Sequence, residues 1–135
     1  MKFEGGCYCG DIRYAATGEP LIKAQCHCRE CQYLSGGHPN VIIGMPKEGF
    51  AYTRGTPATY TRADLEQPRT REFCSRCGTH LTTHSPNLPT GVFVKVGSMD
   101  NPEVFGKPAV AIQTADAQGF HHIPEDADIF DRWAK

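Results

Sequence analysis

Apolar and polar positions along the chain break into short extended runs rather than into long amphipathic stripes. The segments DIRYAA, PLIKAQ, NVIIGM, FAYTR and ATYTR set β-branched or aromatic residues between Gly, Pro and Thr punctuation. That pattern predicts short strands joined by turns. TREFC, GVFVKVGS and AVAIQT continue it, and within the second of these VFVKV alternates as a half-buried strand does. Two segments predict helix instead. CRECQYLSG follows a cluster of cysteines, and PEDADIFDRWA near the end begins with Pro124 and acidic residues suited to a first helical turn. No repeat, low-complexity tract or linker divides the 135 residues. The expectation is one mainly β domain over residues 1–135, its strands held together by something other than a long helix.

Charge narrows the partners. With 14 basic against 15 acidic residues and a formal net charge of -1, the chain lacks the footprint of a polyanion binder, so no nucleic acid is expected. The opening MKFEGGCYCG has no apolar signal core, and the best apolar run, VIIGM, is far too short for a membrane span. These features predict a soluble, cytoplasmic protein. Seven cysteines are then poor candidates for disulfides and good ones for metal ligation or catalysis. They stand in three clusters: Cys7 and Cys9; Cys26, Cys28 and Cys31; Cys74 and Cys77.

The spacings carry chemistry. On an extended segment Cys7 and Cys9 would project to one face, while CSRCG presents Cys74 and Cys77 from a tight turn that Gly78 can close with positive φ, a role Gly10 can share. Two such halves make a closed, tetrahedral, four-thiolate zinc site of structural character. Cys26, Cys28 and Cys31 remain as a trio, the ligand count of a zinc site that keeps an exchangeable position. Three thiolates leave such an ion with a net charge of -1, which suits it to an incoming soft sulfur ligand. Two other groupings stay open on spacing alone. One of His27, His38, His80 and His84 could complete a closed Cys3His site, with His27 the weakest because it points away from its neighbours on an extended segment. A cysteine from another cluster could also close the trio.

GGCYCGDIRY, CHCRECQYLSGG, REFCSRCGTHL and VKVGSMDNP together resemble the successive motifs of the glutathione-dependent formaldehyde-activating enzyme family, whose domain also occurs in centromere protein V. The resemblance covers roughly residues 4 to 102. It implies an Mss4-like β-tent of short antiparallel strands around two zinc ions, with one or two short helices. Cys7, Cys9, Cys74 and Cys77 would bind the structural ion, and Cys26, Cys28 and Cys31 the catalytic one. The implied activity is addition of glutathione to formaldehyde to form S-hydroxymethylglutathione, classed as a carbon–sulfur lyase. Two stretches differ from the family pattern: SGGHPN stands where SGAPF is usual, and the tail GKPAVAIQTADAQGFHHIPEDADIF replaces a P..HIW type segment.

A thiolate held at the open position would attack a carbonyl carbon placed beside it, and positioning supplies most of the benefit for partners that are already reactive. His38, His80 and Ser35 are candidates to protonate the developing alkoxide. Arg29 and Lys95 are candidates to receive the carboxylates of glutathione or a related small thiol. His121 and His122 read as loop histidines rather than ligands. The competing reading is a zinc-stabilised binding module that recognises a protein partner without catalysis. A weaker third possibility, chromatin association by analogy with the centromere member, runs against the near-neutral charge.

Overall fold

A computed structural model of the chain describes residues 1–134. Its strands are β1 (Lys2–Gly6), β2 (Arg13–Thr17), β3 (Ile22–Cys26), β4 (Asn40–Pro46), β5 (Phe50–Arg54), β6 (Ala58–Thr61), β7 (Thr70–Phe73), β8 (His80–His84), β9 (Gly91–Lys95), β10 (Val110–Ile112) and β11 (Asp128–Ile129), with one α-helix, α1 (Arg29–Ser35). A three-stranded sheet runs β1-β2-β5, and a larger one runs β11-β10-β3-β4-β9-β8-β7-β6. The pairings are antiparallel except at one edge, where β10 lies parallel to both β3 and β11. The protein is mainly β, as its sequence pattern predicts.

Strand periodicity sends alternate residues of β4 and β9 to opposite faces of the large sheet. Ile43, Met45, Val92 and Val94 point to a core shared with Phe3, Tyr14 and Ala16 of the small sheet. Ile42 and Phe93 point the other way, into a second core with Ala24, Cys26, Cys31 and Ile112. Both faces of β9 are therefore covered and all five of its residues are buried. This corrects the half-buried reading of VFVKV, because alternation marks which face a residue takes and not whether that face meets water. Each such side chain, fully buried, contributes about 1.5–3 kcal/mol.

The helix expected over PEDADIFDRWA does not form. The segment turns, then lays β11 along β10, with Asp128 N donating to Ala109 O at 3.0 Å and Phe130 N to Ala111 O at 2.9 Å. The exposed edge of β10 supplies backbone partners that an isolated acidic helix of this length would lack. The sequence pattern does not mark the strands β1 and β8. KFEGG ends in two glycines, and HLTTH carries too few apolar residues to show the period.

On the face of β7 and β8 turned toward the small sheet, Glu72 Oε1 accepts from Tyr52 Oη at 3.0 Å, Thr82 Oγ1 at 2.5 Å and His84 Nε2 at 2.9 Å. Burial pushes this carboxyl up, yet the three donors outweigh it and hold its pKa below the ordinary 4.5. A carboxyl depressed in the folded state contributes stability above its unfolded pKa and loses it as pH falls through the folded value. Glu72→Gln should therefore cost about 1.5 kcal/mol at neutral pH, and urea titrations repeated at falling pH should show the difference from wild type shrinking below about pH 4.5. A constant difference across that range would rule out the charge as its source.

Candidate metal centres and the adjoining pocket

Cys7 and Cys9 lie in the turn between β1 and β2, and Cys74 and Cys77 in the turn between β7 and β8. The first pair sits on a turn and not on an extended segment: Gly10 N donates to Cys7 O at 3.1 Å, with Gly10 at φ 85°. The second turn repeats this, with Gly78 N donating to Cys74 O at 2.8 Å and Gly78 at φ 78°. Both glycines hold the left-handed conformation expected of them. The four sulfurs lie within 4.8 Å of one another. Cys7 Sγ is 3.6 Å from Cys9 Sγ, which is 3.7 Å from Cys74 Sγ. A tetrahedron with Zn–S bonds of about 2.3 Å has edges of about 3.8 Å, so the cluster has the size of a zinc cage.

Backbone amides support the sulfurs. Ile12 N donates to Cys7 Sγ at 3.2 Å and Cys77 N to Cys74 Sγ at 3.4 Å. The Thr79 hydroxyl, 3.2 Å away, together with the amides of Thr79 and Cys9, holds Cys77 down at about 5. These are the interactions that orient thiolates around a cation.

The trio forms where β3 meets α1. Cys26 ends the strand, Cys28 is the N-cap of the helix, accepting from Cys31 N at 3.3 Å, and Cys31 lies in the first helical turn. Their sulfurs also lie within 4.8 Å of one another, and among the described residues no histidine or carboxylate joins either cluster at that spacing. Cys31 is the natural holder of negative charge. Hydrogen bonds from Cys26 and Cys28 pull its pKa well below the ordinary thiol value, and Lys95 and Asn40 act the same way against burial. Asn40 Nδ2 lies 3.6 Å from Cys31 Sγ. Both clusters can hold metal ions, and an all-sulfur donor set at this spacing fits zinc.

The trio lines a cavity of about 280 Å³. Sheet register explains its walls. Cys26 pairs with Asn40 and Ile112, Ile42 with Lys95, and Thr83 with both Phe93 and Arg71. Partners across a ladder share a face, so these eight side chains, Cys26 of the trio among them, lie on one face of the large sheet, and all of them line the cavity. Lys95 Nζ and Arg71 Nη1 both donate to Thr83 Oγ1, at 2.7 and 3.2 Å. Arg71 also reaches Glu30 at 3.4 Å. Burial, aided by Arg71, pushes Lys95 down to about 8, while the trio's sulfurs pull it up.

The other residues singled out from sequence divide. Arg29 lines the cavity, with its guanidinium bonded to Gln32 and lying over the Tyr33 ring. His38 is exposed outside the cavity, its ring edge-on to Phe120 at 5.9 Å. Ser35 is exposed and donates to the His38 carbonyl. His80 opens β8 with its ring tilted on Phe73, and burial, then Lys95 and Arg71, hold its pKa below the usual imidazole value. His84 belongs to the Glu72 cluster.

His27 is fully buried and turned away from the sulfurs, where it meets His121 of the tail. Gln25 Nε2 donates to His27 Nε2 at 3.0 Å, His27 Nδ1 to His121 Nδ1 at 2.9 Å, and His121 Nε2 to Gly37 O at 2.8 Å. Two amide donors, Gln25 Nε2 on His27 and Gln118 N on His121 Nδ1 at 3.2 Å, fix this order. His121 thus pins the trio segment from behind, while His122 is exposed. Arg71, Thr83, Asn40 and the His27–His121 pair were not legible as site residues, because only the ladder register and a contact 94 positions along the chain bring them in.

The profile of a family described as "Glutathione-dependent formaldehyde-activating enzyme" matches residues 2–116. A protein of Halomonas elongata named "Putative glutathione-dependent formaldehyde-activating enzyme" is 27% identical over 106 residues, which is 75% of this chain and 68% of that protein. Among solved structures, a Rhodobacter sphaeroides protein superposes with a TM-score of 0.62 at 19% identity, covering 78% of this chain and 96% of that one. That likeness is one of fold. Among the described residues no helix is long and apolar enough to cross a membrane.

Proposed function

Because the chain belongs to the glutathione-dependent formaldehyde-activating enzyme family, we propose that it is a zinc-dependent enzyme of the carbon–sulfur lyase type, one domain over residues 1–135 working in the cytoplasm. It joins glutathione or a related small thiol to an aldehyde. Cys7, Cys9, Cys74 and Cys77 hold a structural zinc, and Cys26, Cys28 and Cys31 a catalytic one. The observation that carries the reading is the convergence of three sulfurs, and no fourth ligand among the described residues, on the wall of a cavity large enough for an organic ligand.

Zinc in the trio would favour the thiolate form of the incoming thiol. The chain's own residues do the rest. Lys95 and Arg71 offset the negative charge that gathers beside the trio, and Lys95 and Arg29 are placed on the cavity wall to receive a carboxylate of the thiol. In the reaction the sulfur bonds to the carbonyl carbon, the C=O π pair becomes an alkoxide, and that oxygen takes a proton. Lys95, with donors left after its bond to Thr83, stabilises the alkoxide. His38 and Ser35 are exposed and lie outside the residues that line the cavity.

The test is the visible absorption of protein loaded with two cobalt ions, with and without glutathione, followed by exchange NMR of glutathione with formaldehyde. Thiolate-to-cobalt bands are expected to change on adding glutathione, and the exchange to accelerate on adding the zinc protein. Bands that stay fixed together with no acceleration would defeat the enzymatic reading in favour of a closed binding module.

A further inference from the structure

The cavity beside the trio has a mixed lining: Lys95, Arg71 and Thr83 are charged or polar, while Phe93, Ile112 and Trp133 are apolar. The charged residues suit the ends of a small acidic thiol. Phe93 and Ile112 also belong to the second core, and the half-buried Trp133 adds to them apolar surface for which a one-carbon aldehyde has no need. A volume of about 280 Å³ falls just below the roughly 300–1,000 Å³ of pockets that enclose organic ligands, and the thiol shares it with its partner.

Trp133 is held there by a built device. Gln113 adopts φ 56°, the one non-glycine positive φ among the described residues, a conformation that side chains other than glycine, asparagine and aspartate rarely take. The bend presents the backbone of Gln113, Thr114 and Ala115, whose amides donate to Arg132 O, Phe130 O and Asp131 O at 2.8, 3.2 and 3.2 Å. Arg132 also pairs with Asp116 at 3.1 Å. The indole then meets the Phe93 ring at 5.8 Å and 77°, an edge-to-face contact that fixes its plane. Trp133 lies beyond residue 116, where the family match ends, whereas Phe93 and Ile112 lie within it.

Resting on the thiol–aldehyde reading above, we infer that the aldehyde partner carries an apolar substituent of several carbons, seated against Trp133 and Phe93, and that Trp133 determines this preference. The adduct is a hemithioacetal with a polar thiol end toward Lys95 and Arg71 and an apolar end under the tail.

Inert thioethers separate binding from turnover. Isothermal titration calorimetry of the zinc-loaded protein should show S-hexylglutathione binding at least tenfold tighter than S-methylglutathione, since each fully buried methylene is worth about fourfold. Trp133 is the chain's one tryptophan, so its emission should shift with the hexyl compound and not with the methyl one. Trp133→Ala should cut the preference below threefold while leaving S-methylglutathione within twofold, and Trp133→Phe should keep most of it. Equal affinities in the wild type, or an unchanged ratio in Trp133→Ala, would overturn the inference. The two readings fail separately. Accelerated glutathione–formaldehyde exchange with no hexyl preference defeats only the apolar subsite, whereas a hexyl preference without turnover of any aldehyde defeats the enzymatic reading, and with it the aldehyde as occupant, and leaves an apolar thioether subsite at Trp133.

Discussion

Cys74→Ser should leave the chain largely unfolded or insoluble, with zinc content falling from two ions per chain toward none. Cys74 is almost fully buried, its sulfur 3.7 Å from Cys9 on the far turn. The cluster ties the hairpin of the small sheet to the β7–β8 turn across 65 positions of sequence. The supporting contacts between those turns are slight: Tyr8 N to Thr79 Oγ1 at 3.1 Å and the exposed Arg76–Asp11 pair. Structural zinc sites bind with about 10–16 kcal/mol of apparent free energy, against about 5–15 kcal/mol for the net stability of a whole domain. Losing one of four ligands therefore removes a large share of what keeps the fold. Circular dichroism melting and metal analysis of the purified variant decide it. A cooperative melt at the wild-type temperature would mean that the shared core of Phe3, Tyr14 and Ile43 suffices without the ion.

Cys28→Ser should do the opposite, removing activity and sparing the fold. Cys28 is half-buried and caps α1 through its sulfur. Serine is among the better N-cap residues, so the helix keeps its start and the melting temperature should change little. The trio, however, drops to two sulfurs. Loss of the positioned thiolate should lower the rate of thiol–aldehyde exchange by about 10³-fold or more, given the effective molarities that positioning provides, and zinc content should fall from two ions to one. A variant that turns over normally with one zinc would place the chemistry elsewhere. Together the two substitutions separate a cluster that holds the chain from one that works on a substrate, although both are built from the same residue type.

The three local groups of cysteines were legible before any coordinates because ligand spacing is local: a gap of one or two residues brings thiols together whatever the rest of the chain does, while the sorting into four and three came from the family resemblance. Even so, the route was partly different, since Cys7 and Cys9 converge through a turn and not along a strand. Most strands were legible too, since turn residues and β-branched runs are local signals. The end of the chain was not. DADIF carries no strand signal of its own and became β11 only because β10 left an edge to pair with.

What the sequence by itself determined is a mainly β chain of one family with cysteines in three local groups, set by short-range spacing and pattern; the meeting of Cys7 and Cys9 with Cys74 and Cys77 across 65 positions belongs to the fold. The tertiary structure alone decided what surrounds the trio. Ladder register put Lys95, Arg71 and Thr83 on one face, and the bend at Gln113 brought Trp133 back over it. Those neighbours come from strands and a tail far apart in the chain, and a one-residue slip in any ladder would have turned them to the opposite side.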